Sequence, residues 1–173
     1  MSRRAHWLLT VCLTLEWLGL GVWVGGMIVL IGAVIPAVFN TFGGQDQGGF
    51  FLTRTFEGYN RLVMVVMLLL ALVAVVRWRQ GGDGIGLSRL EIVLFVLMCA
   101  IAGTIVLFLH PWAARLQAEA FAEKDEQARK AAFEAFFQLH MPVRSLYMVN
   151  LGLGITLLVV KTRRLLRREE VQS

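Results

Sequence analysis

The chain has 173 residues, 57% of them hydrophobic, with a mean hydropathy of +0.67 and a formal net charge of +5. That length holds one domain, and a water-soluble fold of this size could not hide so much apolar surface. The 17 Lys and Arg residues cluster beside apolar runs, without a stripe of interleaved aromatics. They read as determinants of membrane topology and argue against a nucleic-acid partner.

In chain order, four apolar stretches approach the about 20 residues that a helix needs to cross a bilayer. The first covers residues 7–35, closing at Pro36, and is too long for the core of a signal peptide. It is expected to be a retained transmembrane helix. The second covers 58–77, densest from Leu62 to Val76, with an amphipathic extension beginning near Phe51. The third covers 90–109 and is expected to stop at His110-Pro111, because proline disfavours helix at the residue before it. The fourth covers 142–160, with Pro142 as a first helical residue. The fold class expected is therefore all-α: a four-helix transmembrane bundle in a single domain.

Between spans three and four, residues 113–139 are rich in Ala, Glu, Gln and Lys, and Ala128, Ala132, Phe136 and His140 recur at four-residue spacing beside Phe133 and Phe137. The pattern predicts an amphipathic extramembrane helix lying on or capping the bundle. A solvated extension of span three is the less favoured alternative. Basic residues set the orientation. Arg3, Arg4, Arg77, Arg79, Arg89, Lys161, Arg163, Arg164, Arg167 and Arg168 hug one side, whereas Arg54, Arg61, Arg115, Lys124, Arg129, Lys130 and Arg144 lie on the other, diluted by most of the acidic residues. Both termini are thus expected in the cytoplasm, with the Gln80–Gly84 turn inside, in a bacterial inner membrane. Trp7, Trp78 and Trp112 fall at the interfaces.

Glu16 is the conspicuous polar residue within a span, and an intramembrane carboxylate is a functional candidate by default. It reads either as a proton-carrying or cation-binding group or as a carboxylate paired with a neighbouring helix, with Thr14 and Trp17 as local polar company. No second intramembrane charge completes a relay in this reading. Asn150 is a further intramembrane polar residue. Glu57 and Arg61, spaced i,i+4, form a helical ion pair, and Met64 and Met67 below them read as core filler.

His110 and His140 stand at the outer ends of spans three and four. With Glu57 or Met141 they are candidate ligands for copper or zinc, or alternatively two axial ligands for haem b. The competing expectation is that each caps a helix end or hydrogen-bonds at the interface. Cys12 and Cys99, both inside apolar runs, are packing residues and not a disulfide. Gly21 and Gly25 form a Gly-xxx-Gly pair continued by Gly26 and Gly32. With Gly103, Gly152 and Gly154 they offer close helix approach, within the bundle or in a homo-oligomer. No phosphate loop, zinc-protease helix, nucleophile elbow or catalytic carboxylate pair is present.

Three stretches together resemble a bacterial membrane family of domain-of-unknown-function proteins related to the transmembrane-protein-205-like group: Trp23-Val24-Gly25-Gly26 leading to Pro36-Ala37-Val38-Phe39, Pro111 followed by a charged helix, and Phe136-Phe137-Gln138-Leu139-His140 opening the last span with Ser145 and Asn150. Asn150 stands almost a turn further from His140 than in the family's pattern, and His110 has no counterpart there. The resemblance implies a four-helix membrane fold and a loose link to metal or metallodrug tolerance. A more distant likeness to copper-resistance membrane proteins of the D type rests on helix number and the tryptophan-glycine opening. The function expected is non-enzymatic, in metal-ion handling or as a transport-related component in the lipid bilayer. The alternatives are a haem-bearing electron-transfer protein and a structural subunit of a larger membrane complex.

Overall fold

A computed structural model describes residues 3–42, 45–79 and 86–172. The Gln80–Gly84 turn and the side chains of Phe133 and Phe137 lie outside the described residues. Among those residues no strand occurs and four helical stretches are long and apolar enough to cross a membrane: His6–Phe42, Gly48–Arg79, Arg89–Ala122 and Glu126–Arg167. The protein is an all-α membrane bundle.

The elements are α1 (Arg3–Val29), α2 (Ile35–Phe42), α3 (Gln45–Arg79), α4 (Arg89–Thr104), α5 (His110–Ala122) and α6 (Glu126–Gln172), with π-helical turns at Leu30–Val34 and Ile105–Leu109. α1 packs on α3, α4 packs on α6, and the two pairs close a square through α1 against α6 and α3 against α4.

Each helix turns a stripe of residues inward. On α1 the buried positions Glu16, Leu20, Trp23, Met27 and Leu30 alternate steps of four and three. Tyr59, Val63, Val66, Leu70, Val73 and Arg77 do the same on α3, and Val143, Tyr147, Asn150, Gly154, Leu157 and Lys161 on α6. Glu91, Leu94, Met98 and Ala102 form the stripe of α4, continued by Ile105 of the π-turn that follows. A 3.5-residue repeat keeps neighbouring helices in contact through slight left-handed supercoiling. Many other apolar residues, such as Leu18, Val65, Leu68, Val96 and Leu107, face outward, where lipid replaces water as the solvent. Trp7 and Trp78 are exposed near helix ends, and Trp112 is exposed just beyond the π-turn of span three, as interfacial tryptophans are.

The prolines do not end the helices, which corrects the expected boundaries at Pro36, Pro111 and Pro142. Pro36 and Pro111 each stand two residues beyond a π-turn, and in both turns the cap residue bonds five residues back: Ile35 N–H to Leu30 O and His110 N–H to Ile105 O. Widening the coil by one residue relieves the clash between a proline ring and the carbonyl four residues earlier. Spans one and three therefore continue past their prolines. Pro142 lies inside α6, where the carbonyl deprived of its donor belongs to the exposed Gln138.

The segment between spans three and four is helical, but as two arms instead of one separate helix. α5 prolongs span three, the chain reverses at Glu123–Asp125, and α6 runs back without a break into span four. The reversal is capped by acidic side chains: Glu123 Oε1 accepts from Lys124 N–H at 2.9 Å, and Asp125 Oδ1 accepts from Gln127 N–H at 2.8 Å. α3 also extends past the apolar stretch, and its Thr53 hydroxyl donates to the buried Gln117 of α5 at 2.6 Å. Helices of 32 to 42 residues are about 48 to 63 Å long, well beyond the roughly 30 Å hydrocarbon core. The arms thus project from the membrane as an antiparallel hairpin.

Close approach is made by fewer glycines than the spacing suggested. A Cβ at Gly154 would stand 2.6 Å from Val24 and 3.2 Å from Met98, and one at Gly26 would stand 2.9 Å from Tyr59. Gly19 meets Leu70 at the same 2.9 Å. Gly21, Gly25, Gly32, Gly103 and Gly152 meet nothing within 4 Å, so the Gly-xxx-Gly pair does not pack within the bundle. Cys12 is buried and Cys99 half-buried, both as free thiols. Gly154→Val is expected to cost about 1–3 kcal/mol by overpacking. Gly21→Val should change stability by no more than about 0.5 kcal/mol, both read by detergent-titrated unfolding of the purified protein.

Candidate functional site

Five ionisable side chains from all four spans meet at the end of the bundle that carries both chain termini. Glu16 on α1 accepts from Arg77 of α3 and from Lys161 of α6, each at 2.5 Å. Lys161 Nζ lies 3.7 Å from Glu91 of α4, and Glu91 accepts from Arg164, one turn further along α6, at 3.2 Å. Glu16, Arg77, Glu91 and Lys161 are all buried, whereas the Arg164 side chain keeps 32% of its surface exposed. Taken round the square α1, α3, α4, α6, the four buried charges alternate in sign.

Local sequence places each of them. Glu16 is four residues before Leu20, Arg77 four after Val73, Glu91 three before Leu94 and Lys161 four after Leu157. Each charge therefore continues its helix's inward stripe by one turn. Glu91 is fixed further by the start of α4, where the Ser88 hydroxyl accepts from Glu91 N–H at 3.2 Å, the usual N-cap bond. The expectation that no second intramembrane charge accompanies Glu16 is thus corrected. Arg77 and Lys161 read as topology signals because they follow apolar runs, and Glu91 stands at the head of span three, where a charge is ordinary.

The electrostatics follow from the count. Three cations face two carboxylates, which leaves one net positive charge on the group. Burying charges in a medium of low polarity costs several kcal/mol per ion unless each is paired, and the alternation pairs all of them. A small cavity of about 20 Å³ lies among Leu13, Trp17, Leu165 and the five charged residues, room for about one water molecule. Glu91 Oε2, buried and without a hydrogen bond, is an acceptor such a water would satisfy. Trp17 therefore does join Glu16, whereas Thr14 is exposed.

A second polar layer crosses the middle of the bundle. The Tyr59 hydroxyl donates to the Trp23 carbonyl at 2.6 Å, and the Tyr147 hydroxyl donates to Asn60 Oδ1 at 2.9 Å. Asn150 is buried and donates to the Met98 carbonyl at 3.3 Å.

The candidate metal or haem residues at the hairpin end are only partly brought together. His110 and Glu57 line one open cavity of about 370 Å³, with Asn60, Arg61, Met64, Val106 and Pro111. His140 is exposed and stacks on Phe136 with ring centroids 5.6 Å apart. Met141 is 62% exposed, and neither it nor His140 lines that cavity. Glu57 is held between Arg54 at 3.1 Å and Arg61 at 2.6 Å. Among the described residues no three of His, Cys, Asp and Glu converge as a metal site would require.

Glu16→Gln removes the carboxylate that Arg77 and Lys161 share and is expected to cost about 3–5 kcal/mol. Glu91→Gln should cost less, because Arg164 can turn to water. Detergent unfolding of the two variants checks the order, and equal losses would show that exposure of Arg164 does not matter.

No curated protein and no solved structure matches the chain. Residues 18–122, from just beyond Glu16 to the end of α5, match the family model described as Domain of unknown function (DUF4149), and the chain belongs to that family.

Proposed function

We propose that the protein is a non-enzymatic, transport-related membrane protein in which the buried charge layer is an ionic gate closing one end of the bundle. The observation that carries this reading is the difference between the two ends. At the end bearing the termini, alternating charges tie the four helices together around room for one water. Towards the hairpin end, an open cavity of about 370 Å³ enters between spans two and three. Ionisable groups buried in membrane spans mark ion and substrate pathways more often than they serve stability alone, and a layer of paired charges has two discrete states, joined or parted.

The gate faces the cytoplasm of a bacterial inner membrane in this reading. The support is the basic flank beside it, Arg79, Arg89, Arg163 and Arg167 with Arg164, as the positive-inside bias requires. Metal or haem chemistry has weaker support, since His140 and Met141 stand apart from the cavity that holds His110 and Glu57. The link to metallodrug tolerance and to the transmembrane-protein-205-like group belongs to the same weaker reading.

The test is permeability. Vesicles holding the wild-type protein and a pH-sensitive dye are expected to stay tight under an imposed potential. Vesicles with Glu16→Gln/Lys161→Gln, which removes a facing pair and keeps the charge balance, should leak protons or potassium at least about ten times faster. If the folded double variant is as tight as the wild type, the layer is a structural clasp and the gate reading fails. For orientation, Lys124→Cys in a Cys12→Ala/Cys99→Ala background should react with a membrane-impermeant maleimide from the periplasmic side of spheroplasts. Reaction only after lysis would reverse the assignment.

A further inference from the structure

The cavity at the hairpin end has a chemistry that the gate reading does not use. Its floor and walls are mostly apolar, from Met64, Val106 and Pro111, and two neutral hydrogen-bonding side chains line it, Asn60 and His110. Asn60 is only 4% exposed. Its Oδ1 is taken by the Tyr147 hydroxyl, and its Nδ2 is buried with no hydrogen-bond partner. A buried donor left unmade costs about 1–3 kcal/mol, so a buried carboxamide half-satisfied beside a cavity points to an acceptor that arrives from outside. The charged residues at the rim do not supply it, because Glu57 is engaged with Arg54 and Arg61.

The backbone around the cavity is also irregular. Val106 lies in the π-turn Ile105–Leu109, and His110 is the residue that closes that turn by bonding back to Ile105. The widened turn lets Pro111 continue the helix and puts Val106, His110 and Pro111 on the same wall. π-turns inside long helices recur at binding sites because they re-aim side chains without ending the helix. A volume of about 370 Å³ lies in the range of small-molecule sites, which are lined by apolar groups with a few placed donors.

We propose that this cavity binds the carbonyl-bearing head of a neutral lipid drawn from the bilayer, with Asn60 Nδ2 and the His110 imidazole as donors and the apolar tail leaving between spans two and three. A carbonyl oxygen on an apolar body matches both features: it accepts from neutral donors and brings no charge into the bundle. Two membrane constituents carry that chemistry, the ring of an isoprenoid quinone and the ester of an acylglycerol. Because Nδ2 is buried, binding of either requires the Asn60 carboxamide to turn towards the cavity.

The full-length protein is reconstituted in nanodiscs of ether-linked phospholipid, which has no carbonyl to compete. Decylubiquinone and monoolein are then titrated separately by calorimetry. Saturable binding of one probe is expected, and the probe that binds identifies the source. Val106→Phe, which puts a ring into the cavity and removes no hydrogen-bonding group, should weaken it at least about tenfold, and so should His110→Phe. Asn60→Leu should do likewise, with Val106→Phe deciding the matter if that variant does not fold. Absence of saturable binding by both probes, or binding unchanged in Val106→Phe, overturns the proposal. None of these outcomes depends on whether the charge layer gates.

Discussion

The pairing of charges inside lipid is the constraint on which the rest of the structure depends. Apolar residues pack no better against each other than against acyl chains, so apolar burial supplies little force to hold four helices together in a membrane. Buried ions do supply it, because any separation of Glu16 from Arg77 and Lys161 would strand them in a medium that solvates them poorly. The layer joins α1, α3, α4 and α6 at one level, and the heptad stripes then carry that register along the bundle. Tyr59 on the Trp23 carbonyl and Tyr147 on Asn60 repeat the device at mid-depth with neutral groups.

The two ends of the bundle are built to opposite principles. At the terminal end the helices are drawn together by charge around a space for one water. Towards the hairpin end spans one and three carry irregular turns and a cavity opens between spans two and three, with contacts further out made by Thr53 on Gln117 and by the antiparallel arms α5 and α6. The paired π-turns before Pro36 and Pro111 serve this arrangement. They let spans one and three run on as projecting arms while changing which residues face inward above and below the turn. A gate at one end and a lipid-accessible cavity towards the other are compatible uses of this asymmetry, and they can be tested separately.

Much of the candidate site is legible in the sequence, through helix face more than through position along the chain. Glu16 stood out as a carboxylate in an apolar run. A count of positive charges at span ends treats Arg77 and Lys161 as topology signals, because it looks at sequence position and ignores helix face. Extending the inward stripe by one step of three or four residues puts Glu16, Arg77, Glu91 and Lys161 on the core face of their own helices. Helical periodicity therefore held the signal. The glycines teach the opposite lesson. Gly21 and Gly25 have the spacing of a packing motif, but they lie off the stripe marked by Leu20, Trp23 and Met27, whereas Gly19, Gly26 and Gly154 meet neighbours at close range.

The sequence by itself determined the solvent, the number of spans and the class of fold, because hydrophobicity and its 3.5-residue repeat are local properties of the chain. It also determined which residues bear charge and which helix face each occupies. Only the tertiary structure decided that Glu16 is shared by Arg77 and Lys161, positions 61 and 145 residues away along the chain, and that Asn60 borders the same cavity as His110. It also decided that His140 stays outside that cavity. Such meetings depend on which helices are neighbours and at what register, and periodicity along one helix carries no information about the next.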